Sequence, residues 1–173
     1  MFSRGQVERA EHDMNALTAR INETVKHRQE SDAKWNEWKK ATHAFHTYFH
    51  ENPVFLLWRR ETLDAIRAGD RNTIEGSLTF LEADPYFFRS GYLKEKVLRA
   101  IKRAPLNGRD EVRVQMIILR ALEGRYKREF KFYARLIPRI YTPQFENELR
   151  VAAKRTNCHN HAHLVLNALD NHC

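Results

Sequence analysis

The chain has 173 residues, enough for about one domain with a real core, on the usual scale of roughly 100–200 residues per domain. Its 42% hydrophobic content argues against global disorder, and only 6 glycines and 5 prolines leave little punctuation for the turns of a β-sandwich. The formal net charge of +8 suits a nucleic acid, an anionic surface or an acidic protein as partner, and speaks to association rather than to fold.

In chain order, residues 1–6 lack the apolar run of about 7–15 residues that marks a secretory signal. Nothing later reaches the roughly 18 apolar residues of a spanning helix. The expectation is a soluble cytoplasmic protein without membrane insertion, whose two cysteines, Cys158 and Cys173, stay free thiols in the last segment.

Between Gly5 and Pro53 there is no glycine or proline, and apolar residues keep a seven-residue beat. Val7, Met14, Ile21, Trp35 and Phe49 form one column, and Ala10, Leu17, Trp38 and Phe45 the other. This predicts one long helix over residues 1–51, with a weak N-terminal half and an aromatic second half that packs on the rest. Thr24, Arg28 and Ser31 interrupt the seam, so the first half is either an arm that makes a homodimer through residues 7–49 or a frayed tail.

Asn52-Pro53 ends that helix, and the next is predicted from Pro53 to Gly69, its C-terminal stop. Asp70 caps a partner helix carrying Ile74, Leu78 and Leu81 and ending near Asp84-Pro85. Ser90 opens a helix with Leu93, Val97, Leu98 and Ile101 inward, closed by Pro105-Leu106-Asn107-Gly108. A further helix begins near Asp110, turns Val112, Gln115, Met116, Leu119 and Leu122 toward the core, and breaks at Gly124. Beyond it Tyr126, Phe130, Tyr133 and Ile137 make an apolar stripe beside Lys127, Lys131 and Arg135. Thr142-Pro143 opens a helix with Phe145, Leu149 and Ala152 inward, and the last helix buries Ala162, Val165, Leu166 and Leu169.

Three of these helices end alike, in runs starting at Leu78, Leu119 and Leu166: two leucines at i and i+3 with an acid after the second. Their spacing falls in the range of roughly 40–47 residues of HEAT and armadillo repeats. On that periodicity residues 53–171 resemble HEAT and armadillo proteins, and the resemblance implies an all-α fold. It would be a short α-solenoid of stacked helical hairpins, residues 52–173, preceded by the long helix.

The densest positive run is Arg125, Lys127, Arg128, Lys131, Arg135 and Arg139, with aromatics between the charges. Nucleic-acid grooves use this combination, cations neutralising phosphates while aromatic faces accept unpaired bases. Lys94, Lys96, Arg99, Lys102 and Arg103 form a second basic group, and Arg109, Arg113 and Arg120 a third. If equivalent helices line one face, these charges merge into a stripe. The competing reading is a plain amphipathic helix, its aromatics buried and its cations solvated.

Two histidine clusters are candidates for metal. His43, His46 and His50 share one helix face, and Cys158, His159 and His163 lie in the tail with His161, His172 and Cys173. Neither has a standard zinc spacing, and metal captured by the tail would be binding without function, so no cofactor is expected. Glu82 and Glu123 end equivalent helices against the helix dipole, which predicts salt bridges between repeats.

With no phosphate-cradling loop and no nucleophile elbow, the chain reads as a non-enzymatic interaction module that binds nucleic acid or another polyanion. A protein adaptor or scaffold is the alternative. A third reading is a DNA-modifying enzyme like the HEAT-like glycosylases, for which no catalytic residue is carried over.

Overall fold

The computed structural model describes residues 2–124 and 127–171. Among them every regular element is helical and no strand forms, so the all-α class holds. No helix among these residues is long and apolar enough to cross a membrane.

The single N-terminal helix is corrected to two. Helix α1, Arg4–His27, opens on a capping box in which the Ser3 hydroxyl accepts from the Gln6 N–H and the Gln6 side chain accepts from the Ser3 N–H. Helix α2, Asp32–Glu51, starts afresh at Ser31, whose hydroxyl accepts from the Lys34 N–H. The polar run between them gives the chain nothing to bury in a continuous helix, whereas Ser31 in an extended conformation offers a cap. The two halves fold back on each other, and the Tyr48 hydroxyl donates to Asp13 Oδ2 at 2.8 Å across the pair.

The aromatic half packs on the rest through Phe45, Tyr48 and Phe49, with Phe49 stacked on Phe55 at 5.1 Å, but the half expected to be weak is the more deeply buried one. Val7, Ala10 and Met14 of α1 are buried in the same core as Leu78 and Phe80, while α2 buries only Ala41 and leaves Trp35 exposed. Part of the apolar seam read as a dimer contact, Val7, Ala10 and Met14, is thus buried within this chain.

Pro53–Trp58 is a 3₁₀ segment, and α3 follows at Arg60–Ala68, ending on Gly69 at φ 91. That left-handed turn is where glycine is needed, since a Cβ there would also meet Pro105 Cγ at 2.6 Å. Helix α4, Arg71–Ala83, is capped by Asp70 as expected. Helix α5 is Ser90–Ile101. Helix α6, Gly108–Glu123, starts on a second capping box of Asn107 and Asp110 and stops at Gly124, where the break was expected. Helices α7, Phe130–Ala134, α8, Pro143–Arg155, and α9, His159–Asp170, complete the chain, with Ile137–Arg139 a 3₁₀ turn.

The inward face of α6 is rotated from the predicted one. Val114, Ile117, Ile118, Ala121 and Leu122 are buried, while Val112 and Met116 are 55% and 50% exposed. The rotation lets both isoleucines into the core and places Asp110 under Arg71 of α4, at 2.7 Å.

Helix α1 packs on α4, α4 on α6 and α6 on α8; alongside, α3 packs on α5, α5 on α7 and α7 on α9. Ion pairs tie the first row together. Arg113 of α6 reaches Glu82 at 2.7 Å and Glu75 at 2.6 Å on α4. The expected bridge thus exists at Glu82, whereas Glu123 has no ion pair among the described residues.

Candidate anion-binding cleft

Three of the cations picked from the sequence are spent inside the fold. Lys94 is only 2% exposed, with its ammonium 2.6 Å from Asp84 Oδ1 and 4.0 Å from Glu129. Lys127 also reaches Asp84, through its other oxygen. Arg113 is held by the two α4 glutamates. Burial pushes Lys94 below its ordinary value. Burial pushes the Asp84 carboxyl up, but the two lysines outweigh it and hold it below the usual carboxylate range. These charges neutralise one another within the fold, which leaves them little to offer a polyanion.

The cations that do converge lie where α3, α5 and α7 meet. A cleft of about 350 Å³ is lined by Arg67 at the end of α3, by Leu98, Arg99, Lys102 and Arg103 on and just after α5, and by Phe132 and Arg135 on and just after α7. The helical spacing explains the grouping: Arg99 on α5 is followed at i+3 and i+4 by Lys102 and Arg103 in the turn that ends it, and Lys131 on α7 is followed at i+4 by Arg135 at its C-cap. Phe132 is buried, and three cations surround its ring, Arg99 at 4.8 Å, Arg135 at 5.1 Å and Lys131 at 5.2 Å.

No carboxylate lines this cleft. Arg99 pairs with Glu95 at 2.8 Å and Arg67 with Asp64, both outside the wall. Lys102, Arg103, Lys131 and Arg135 have no ion pair among the described residues. Arg139 acts as a brace: its guanidinium donates to the carbonyls of Lys102 and Ala104, closing the end of α5.

The structure therefore brings together Arg99, Lys102 and Arg135, with Lys131 and Arg139 at the edge. Arg120 lies apart, in a separate recess with Arg4 and Glu82, and Arg128 sits at the other end of α5 over the Tyr92 ring. Arg125 is outside the described residues. Sequence reading missed Arg67, whose place depends on α3 packing beside α5. It also overrated Phe130, which is wholly buried and stacked on His161 at 3.9 Å.

The described residues of the two histidine clusters do not gather into one group. Among the described residues no three His, Cys, Asp or Glu side chains come together as a cation needs. His43, His46 and His50 stay exposed along α2. His159 and His163 are exposed on α9, where His163 meets Asn167 at 3.1 Å, and Cys158 is half-buried at the helix start. His161 turns inward instead, and its Nε2 accepts from the Lys127 N–H at 3.0 Å. His172 and Cys173 are outside the described residues.

The chain matches no protein-family model, no curated protein and no solved structure.

Proposed function

We propose that this chain is a non-enzymatic binding module for a nucleic acid or another polyanion, held at the α3/α5/α7 cleft. One observation carries the reading: Arg67, Arg99, Lys102, Arg103 and Arg135 share a concave wall that contains no carboxylate. Bringing like charges together costs energy in the empty protein, and an anion bound among them recovers it. The two rows of helices support reading residues 53–171 as a short helical-repeat stack, with the cleft on the α3/α5/α7 row.

A protein adaptor is the second reading. Its support is on the other row, where Val112 and Met116 of α6 and Val151 of α8 leave apolar surface exposed.

The test is the salt dependence of binding to inorganic polyphosphate and to oligonucleotides. Arg99→Gln, Lys102→Gln and Arg135→Gln combined should leave the melting temperature nearly unchanged, since exposed charges contribute little to folding. The slope of log affinity against log salt should fall in magnitude by about 2–3, at roughly 0.7–0.9 for each lost phosphate contact. A variant that binds like the parent would remove the cleft from the account. Salt-insensitive capture of a protein partner would move it to the adaptor reading.

A further inference from the structure

A second opening, of about 570 Å³, lies at the start of α5, between α1, the turn 84–89 and the residues before α7. Tyr86, Phe88, Arg89, Tyr92 and Arg128 form its rim, over a floor of Lys94, Lys127 and Glu129. The floor is close enough to α5 that a Cβ on Gly91 would come within 2.9 Å of Glu129 Oε2.

The turn is built to hold rings outward. Asp84 at φ 49 and Arg89 at φ 64 both take left-handed conformations that side chains ordinarily avoid, costing on the order of 1 kcal/mol or more apiece. Between them the backbone is clamped: the Tyr86 N–H donates to Glu11 Oε1 at 3.0 Å, and Asn15 Nδ2 donates to the Tyr86 carbonyl at 2.8 Å. Phe87 is the anchor, buried edge-on against Phe55. Its neighbour Phe88 is left 54% exposed, and Tyr92, in the first turn of α5, is 51% exposed. Each ring carries one arginine, Arg89 over Phe88 at 5.2 Å and Arg128 over Tyr92 at 4.0 Å.

The basic cleft lies further along the same helix and shares no lining residue with this opening. Arg128 also approaches Glu95 at 3.9 Å, Glu95 pairs with Arg99, and Arg99 lies over Phe132 in the cleft. From Tyr92 to Arg99 the rise along α5 is about 10 Å.

Resting on the polyanion reading above, we propose that Phe88 and Tyr92 stack unpaired bases, so that the ligand is single-stranded nucleic acid whose phosphates continue into the cleft. Exposed rings beside arginines are the combination that binds a flexible strand, where each base offers a free face. In a duplex those faces are covered by neighbouring base pairs. A plain anion would use the cations alone and gain nothing from the rings.

The experiment compares four probes on the full chain: inorganic polyphosphate, oligothymidylate, an abasic deoxyribose-phosphate oligomer of the same length, and a duplex of equal phosphate count. The parent should bind oligothymidylate roughly tenfold or more tighter than the abasic oligomer, the size expected of one or two stacked bases. Phe88→Ala with Tyr92→Ala should erase that preference and leave the abasic and polyphosphate affinities unchanged. Leucine at both positions, which keeps apolar bulk at the turn, should do the same if the alanine pair fails to fold. Polyphosphate binding without any preference for bases, or a preference that survives the ring substitutions, overturns the stacking proposal alone and leaves the rings to an apolar protein segment. A parent that binds none of the four probes overturns the polyanion reading as well.

Discussion

Phe130→Ala is expected to lower the stability of the fold by about 3–5 kcal/mol, the cost of emptying a large aromatic site in a packed core. The ring is wholly buried, sandwiched between His161 at 3.9 Å and Tyr133 at 6.0 Å. Tyr133 and His161 are themselves fully buried and packed, so neither neighbour relaxes cheaply into the space. Urea unfolding measures the loss. Binding per folded molecule should be unchanged. Weaker binding to single strands at full stability would instead make Phe130 a stacking surface, against its burial.

Asp84→Ala is the second large effect. The carboxylate is the shared partner of Lys94 and Lys127, and its loss leaves Lys94 with only Glu129 at 4.0 Å. Removing one member of a buried pair costs roughly 3–5 kcal/mol, and about 3 kcal/mol is expected here because Asp84 itself is partly exposed. Alanine also tolerates φ 49 less well than aspartate. Asp84→Asn keeps the backbone preference and isolates the charge. Because the folded Asp84 pKa is depressed, its contribution is present above the unfolded value of about 4 and is lost as pH falls through the folded value. The stability gap between parent and Asp84→Asn should therefore be full at neutral pH and narrow in acid. A gap that stays constant with pH would show that the carboxylate is not the ion-pair partner described.

The sequence was most readable where the signal is local. Asp70 and Thr142 cap helices as their chemistry requires, Gly69 takes the left-handed stop, and α6 ends at Gly124. The heptad beat in the first fifty residues was a real apolar seam, but periodicity says only that a face must be covered. It does not say which surface covers it; here the chain restarts at Ser31, and α1 and α2 pack on each other. Charge was less readable still. Lys94, Lys127 and Arg113 look like any other basic residues in the sequence, and what removes them from the surface is carboxylates 10 to 43 residues away. A triple substitution of Lys127, Lys131 and Arg135, the natural choice from the basic run alone, would thus disturb the buried Asp84 cluster together with the surface. Arg67 could not be placed without knowing that α3 lies beside α5. Phe88 carries no periodic signal, since it lies in the turn between left-handed Asp84 and Arg89, and Tyr92 is left outside by the phase of α5, which buries Leu93, Val97 and Leu98.

The claim that a polyanion sits where α3, α5 and α7 meet is tested most directly by following backbone amide resonances while the parent is titrated with oligothymidylate. The account predicts the largest shifts at Arg99, Lys102, Arg103, Phe132 and Arg135, with the α2 face around His43 and His50 unmoved. Shifts concentrated on α2 or on the exposed apolar residues Val112 and Met116, with the cleft silent, would contradict it.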